Sequence, residues 1–159
     1  MLYSTACGYA IRALTHLAGQ PPDGFRQLRD IARAEGIPGA FLGKILQDLV
    51  RGRLLNSSKG PRGGYALARR PAAITLLAVK EVVDGTADLE GCASGLGRCS
   101  DDMPCPQHER FKPLRVAIKR YLVTTTVADM SQALAEKRAL LERTHRRRGK
   151  RPKPAAPAP

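Results

Sequence analysis

No run in this 159-residue chain approaches the roughly 18 consecutive apolar residues that a membrane span needs. There is no internal repeat, no nucleotide-binding fingerprint, and no Ser/His/Asp or paired-carboxylate set placed for catalysis. An enzyme is therefore not the expectation. Met1 to Gly19 carries Arg12 and His16 inside its apolar pattern and lacks a charged start followed by an uninterrupted apolar run, so it does not read as a signal peptide. That points to the cytoplasm, where clustered thiols bind metal more often than they pair as disulfides. Acid is scarce: 14 Asp and Glu stand against 27 Lys and Arg, a net charge of +13. Nine basic residues fall between Lys137 and Lys153, against the single acid Glu142. This balance suits a polyanion such as nucleic acid, and the proline-rich end, Arg151 to Pro159, reads as a disordered tail.

What is present begins with helices. Ser4 or Thr5 can cap a first helix with Cys7, Ala10, Ile11, Leu14, Leu17 and Ala18 at helical spacing. A second runs from about Gln27 to Glu35 and stops at Gly36. Pro38 opens a third, whose Phe41, Leu42, Ile45, Leu46, Leu49 and Val50 form an apolar stripe. Leu54–Ser58 and Tyr65–Leu67 are short strand-like runs joined by Lys59-Gly60-Pro61-Arg62-Gly63-Gly64, a hairpin with a glycine-rich, basic tip. A helix-turn-helix followed at once by such a hairpin is the order of a winged helix.

In that arrangement the third helix lies in the major groove of double-stranded DNA. Pro38, Ala40, Phe41, Lys44 and Gln47 are the candidates to meet bases. Phe41 is open between base contact and the core. In the wing, Gly60 and Gly63 permit close approach of backbone N–H groups to phosphate, and Lys59 and Arg62 supply charge. A further helix is expected over Ile74–Val83 with Ile74, Leu77, Ala78 and Val82 inward. A long one from about Gln107 to Thr124 carries Phe111, Leu114, Ile118, Leu122 and Thr125 at near-heptad spacing. So long a stripe in so small a chain suits a homodimer interface. Thr126-Val-Ala-Asp129 reads as a capping box for a last helix.

Three of the four cysteines, Cys92, Cys99 and Cys105, share one loop rich in glycine and proline, with His108 just behind. Thiolates and imidazole are ligands for iron-sulfur clusters or zinc. Only Cys105-x-x-His108 has the tight spacing usual in structural zinc sites, while iron-sulfur ligation tolerates the wider Cys92–Cys99 gap. From the residues alone both metals stay open. Cys7, on the core stripe of the first helix, reads as a buried inert thiol, with a metal-ligand or resolving role as the alternative.

Taken together the chain resembles the Rrf-two family of bacterial transcription regulators, of the iron-sulfur cluster regulator and nitric-oxide-sensitive repressor type. The resemblance runs from Met1 to about Leu134. It is carried by Tyr9-Ala10, Ala13-Leu14 and Leu17-Ala18; Leu28 with Ile31-Ala32; Ile37 with Phe41-Leu42 and Ile45-Leu46; Lys59 to Tyr65; the three-cysteine loop; and Thr126 to Met130. It implies a mainly α fold with a small β-hairpin: a winged helix-turn-helix domain plus a long dimerisation helix. The organisation expected is residues 1–84 for DNA binding, 85–108 for the cluster loop, 109–136 for the dimerisation helix and a short terminal helix, and 137–159 for a disordered basic tail. It also implies a homodimeric repressor whose operator binding answers to a cluster on Cys92, Cys99, Cys105 and His108, with 2Fe-2S favoured and 4Fe-4S the alternative. A zinc-stabilised winged-helix module without sensing is the other reading. The chain departs from the pattern in three places. Gly43 stands where a base-reading glutamate can occur, Gly8 stands where some members carry an acidic ligand, and the Cys92–Cys99 gap is one residue longer.

Overall fold

The computed structural model describes residues 2–21, 24–97 and 99–149. Helix α1 (Thr5–Ala18) starts where the Ser4 hydroxyl accepts the Cys7 N–H at 3.1 Å. It is the centre of the molecule, with Cys7, Ala10, Ile11, Ala13, Leu14 and Leu17 buried and with α2 (Leu28–Glu35), α3 (Gly39–Arg51), α4 (Leu76–Val83) and α7 (Val127–Gly149) packed around it. Full burial of a leucine or isoleucine such as Leu14 or Ile11 contributes about 1.5–3 kcal/mol, and of an alanine correspondingly less. The turn from α2 to α3 depends on Gly36 at φ +61°, a left-handed conformation that glycine adopts without steric cost.

Strands β1 (Leu55–Ser58) and β2 (Gly64–Leu67) form the expected antiparallel hairpin, with Leu55 opposite Leu67 and Ser58 opposite Gly64. Arg26 extends the sheet by one residue, exchanging two 2.9 Å backbone hydrogen bonds with Tyr65. A short 3-10 turn, Pro71–Ala73, leads to α4, capped by Thr75 accepting from the Ala78 N–H at 3.1 Å.

After α4 come the four-residue α5 (Ala87–Glu90), the cysteine segment, α6 (His108–Thr124) and α7. The α6–α7 corner is stitched back to the winged domain: Leu76 N–H donates to Thr125 O and Val127 N–H to Ile74 O, both at 2.9 Å. The capping box at Thr126 is reciprocal. Asp129 N–H donates to the Thr126 hydroxyl at 3.2 Å, and Asp129 Oδ2 accepts from the Thr126 N–H at 2.8 Å.

Two expectations change. Helix α4 buries Leu76, Val79 and Lys80 most deeply, while Leu77, Ala78 and Val82 are only partly buried. It is wedged among α1, α3 and α6, so it has no single inward face. Helix α7 does not stop near residue 136 but continues to Gly149. The basic run is built largely from Ala, Leu, Glu, Lys and Arg, all good helix formers, with no Gly or Pro before Gly149. The remainder of the expected tail, 150–159, lies outside the described residues.

Candidate DNA interface and cysteine-lined metal site

Helix α3 is divided cleanly. Leu42, Ile45, Leu46 and Leu49 are buried, and Pro38, Ala40, Phe41, Lys44 and Gln47 are exposed. Phe41, 42% exposed, therefore faces outward rather than into the core. Its ring rests edge-on against Tyr9, with centroids 5.8 Å apart. Tyr9 in turn lies under the Arg12 guanidinium, which pairs with Glu35. Gly43 has open space on its exposed side, with only the Leu28 side chain within contact distance of an added Cβ.

At the wing tip Lys59, Gly60, Pro61 and Arg62 are exposed. Gln27 fixes the tip by donating to Pro61 O at 2.8 Å, a contact with no sequence signal beyond a polar residue at the right place. Gly63 sits deeper than its neighbours in the tip. It is buried, and a Cβ there would collide with Ser58 O and the Lys59 carbonyl. Its lack of a side chain is required by the turn itself. Gly64, at φ +137°, is required for the same kind of reason, since a Cβ would strike Arg26 O.

Cys92, Cys99, Cys105 and His108 all line one cleft of about 260 Å³, together with Leu96, Ser100, Met103, Pro104 and Pro106. All four cysteines of the chain are free. The polypeptide is shaped by backbone bonds: Cys92 N–H donates to Gly97 O at 2.8 Å, Gly95 N–H to Cys92 O at 3.0 Å, and His108 N–H to Cys105 O at 2.9 Å. Two of these donors are in direct contact. Cys99 Sγ lies 3.2 Å from His108 Nδ1, and Ser94 stands between the other two, its N–H donating to Cys92 Sγ at 3.4 Å and its hydroxyl to Cys105 Sγ at 4.0 Å. Among the described residues no three His, Cys, Asp or Glu side chains converge on a point where one metal ion would sit.

The backbone N–H groups of Ser94 and Leu96, with the Cys105 thiol, hold Cys92 below the usual thiol range. Cys7 is the opposite case: burial pushes its thiol up to about 12, which makes it inert as a nucleophile. It belongs to the core and not to this cleft. His108 is only 4% exposed. Its Nε2 lies 2.7 Å from Asp101 Oδ1, which also accepts from Lys112 Nζ at 2.6 Å. The sequence alone does not single out Asp101 or Lys112. The only hint was a lysine one helical turn beyond the histidine, which also fits a solvated helix face.

The segment is tied down on both sides. Arg115 of α6 donates to Gly91 O, and Lys119 pairs with Glu90. On the winged-domain side Lys80, its side chain 2% exposed, reaches Asp88 at 3.0 Å and Asp84 at 3.8 Å. Asp84 in turn accepts from the Ser4 N–H at 2.8 Å. A buried lysine is tolerated only with such partners.

Residues 3–133 match the Rrf2 family profile, described as "Iron-dependent Transcriptional regulator". The HTH-type transcriptional regulator IscR of Yersinia pseudotuberculosis is 31% identical over 122 residues, covering 77% of this chain and 74% of that protein. Among solved structures, "CymR (YrzC) the Global Cysteine Regulator of B. subtilis" superposes with a TM-score of 0.71 at 25% identity, covering 82% of this chain and 95% of that one. T. potens IscR superposes with a TM-score of 0.68 at 25% identity, covering 84% and 88%. The divided recognition helix and the basic wing tip are thus those of a winged-helix regulator, and the chain belongs to the Rrf2 family of DNA-binding transcriptional regulators, not to a family of enzymes.

Proposed function

We propose that this regulator is a cytoplasmic homodimer, acting as a repressor, whose operator affinity is set by an iron-sulfur cluster held by Cys92, Cys99, Cys105 and His108. The observation that carries this is the gathering of those four residues around one cleft, with Cys99 Sγ 3.2 Å from His108 Nδ1. A zinc site draws four donors into a single tetrahedron at about 2.3 Å from one ion. A two-iron cluster instead takes two protein ligands at each iron, and imidazole can replace thiolate there. The wide Cys92–Cys99 spacing suits iron-sulfur ligation better than the tight pairs of a structural zinc site, which supports 2Fe-2S over zinc; 4Fe-4S is the alternative nuclearity. The cleft also exceeds the roughly 30 Å³ share of a single water several-fold, room for a group of several atoms. Such a cluster supplies one-electron chemistry and sensitivity to oxygen, nitric oxide and iron supply.

The protein's own residues do the rest. Arg115, Lys119 and Lys80 hold the backbone that bears Cys92, so ordering or release of this segment bears on both α6 and α4. Helix α4 packs on α1 and α3, and α3 presents Ala40, Phe41, Lys44 and Gln47 to the major groove. Lys59 and Arg62 meet phosphate. Of the expected stripe, Leu122 is buried in the chain's own core and Ile118 packs against it. Leu114 and Tyr121 stay exposed on one side of α6 and Val116 and Val123 on the other. That leaves apolar surface for a second copy of the chain, whose two recognition helices would then meet two half-sites. A change in the loop shifts the population between two separations of those helices.

Anaerobic purification followed by a visible spectrum and iron, sulfide and zinc analysis tests the ligand. Visible charge-transfer absorption with iron and sulfide in equal amounts is expected. A colourless protein with stoichiometric zinc would replace this reading with that of a zinc-stabilised DNA-binding module.

A further inference from the structure

We infer that Asp101 is the positioning residue of the metal site, fixing the His108 ring so that Nδ1, and not Nε2, is the nitrogen presented to the cluster. This rests on the reading of His108 as a ligand.

The geometry runs through one oxygen. Asp101 Oδ1 accepts from Lys112 Nζ at 2.6 Å and sits 2.7 Å from His108 Nε2. An ammonium has only protons to offer, so that oxygen is an acceptor. The imidazole Nε2 facing it therefore carries the proton and donates. Nδ1 is then the nitrogen with the free lone pair, and it faces Cys99 Sγ at 3.2 Å, on the cleft side. The ring has little room to turn over, being 4% exposed and bound at both nitrogens.

Lys112 stands four residues after His108, one turn along α6 on the same face. Asp101, from the loop, is held by both residues of that turn. It therefore orients the ligand and also closes the Cys99–Cys105 segment onto the helix. Outer carboxylates of this kind set the tautomer and raise the basicity of a metal-bound histidine, and their loss typically costs about 10–100-fold in metal affinity. The carboxylate itself is exposed. Its replacement disturbs no core, and the melting temperature of the apoprotein is expected to hold.

The test uses the full chain with Asp101→Ala, Asp101→Asn and Lys112→Ala. In the cluster-free, ¹⁵N-histidine-labelled protein, long-range ¹H–¹⁵N spectra read the His108 tautomer directly. The wild type is expected to show a single Nε2–H form. Asp101→Ala is expected to show averaging between both forms, and Asp101→Asn, which keeps an acceptor oxygen, to stay close to wild type. In the anaerobically reconstituted protein, Asp101→Ala is expected to lose its visible absorption to a chelator about 10-fold faster or more, with Lys112→Ala intermediate. An Nδ1–H form in the wild type would overturn the proposal. So would Asp101→Ala leaving both the tautomer and the chelation rate unchanged in a protein that does hold a histidine-ligated cluster; the cluster reading would then survive. If no cluster forms in the wild type, that reading fails, and the tautomer spectra alone decide the role of Asp101.

Discussion

Helix α3 and the cysteine segment face the same problem, holding functional side chains in a fixed geometry at a surface, and they differ in what does the holding. In α3 the exposed Phe41, Lys44 and Gln47 stand on the far side of Leu42, Ile45, Leu46 and Leu49, each at most 3% exposed. Between Cys92 and Cys105 no side chain is buried among the described residues, and order comes from backbone hydrogen bonds, the Asp101 bridge and the ion pairs at its edges. A packed core resists local change, because interiors are dense and cooperative. A segment held by a few polar contacts opens at low cost. A reader of DNA suits the first construction, and the sensing role proposed above suits the second.

The sharpest way to break this contrast is to damage each region in turn. Leu46→Ala is expected to destabilise the protein by about 2–5 kcal/mol in denaturant unfolding. Cys92→Ala in the cluster-free protein is expected to change stability by no more than about 0.5 kcal/mol. Equal losses would mean that the loop belongs to the core after all. Next come the reading residues. Gln47→Ala or Lys44→Ala is expected to cost about 1–3 kcal/mol in binding to a selected operator and to relax base preference at one position. Arg62→Ala is expected to weaken all sequences alike and to lower the salt slope by about one.

A smaller effect is expected at the α7 cap. Thr126→Ala should cost about 1 kcal/mol of stability, read by thermal unfolding. The smallest concerns pH. Hydrogen bonds from the Thr126 side chain and backbone hold Asp129 below the usual carboxylate range. The stabilisation is therefore full above the unfolded carboxylate value of about 3.9 and is lost as pH falls through the lower folded value. Asp129→Asn should flatten that part of the acid-unfolding curve. A curve unchanged by the substitution would contradict the box.

The two regions also differed in how far the sequence revealed them. Stripes such as Leu42, Ile45, Leu46 and Leu49 disclose a helix and its buried face, because periodicity is local. The hairpin and the Thr126–Asp129 box were legible for the same reason. Lys80 was not, because a lysine reads as surface until two aspartates from separate turns are seen beside it. The turn's need for Gly63 is not legible either, because a glycine in a basic tip fits both close approach and a tight turn, and the clash with Ser58 O appears only in the fold. The four cleft residues were legible by type. The Asp101 bridge was not, because it depends on the loop folding back onto α6 across seven residues.

The central claim is that the cysteine segment controls the DNA-reading face. The direct measurement compares binding of one DNA site, enriched by the protein from a random-sequence pool, by three anaerobic samples: cluster-loaded wild type, cluster-free wild type, and the triple variant Cys92→Ala, Cys99→Ala, Cys105→Ala. The account predicts that the loaded and cluster-free proteins differ in affinity about 10-fold or more, the size of a typical coupling between sites. It also predicts that the triple variant binds like the cluster-free protein whatever iron or nitric oxide is supplied. Equal affinity in all three samples would contradict it.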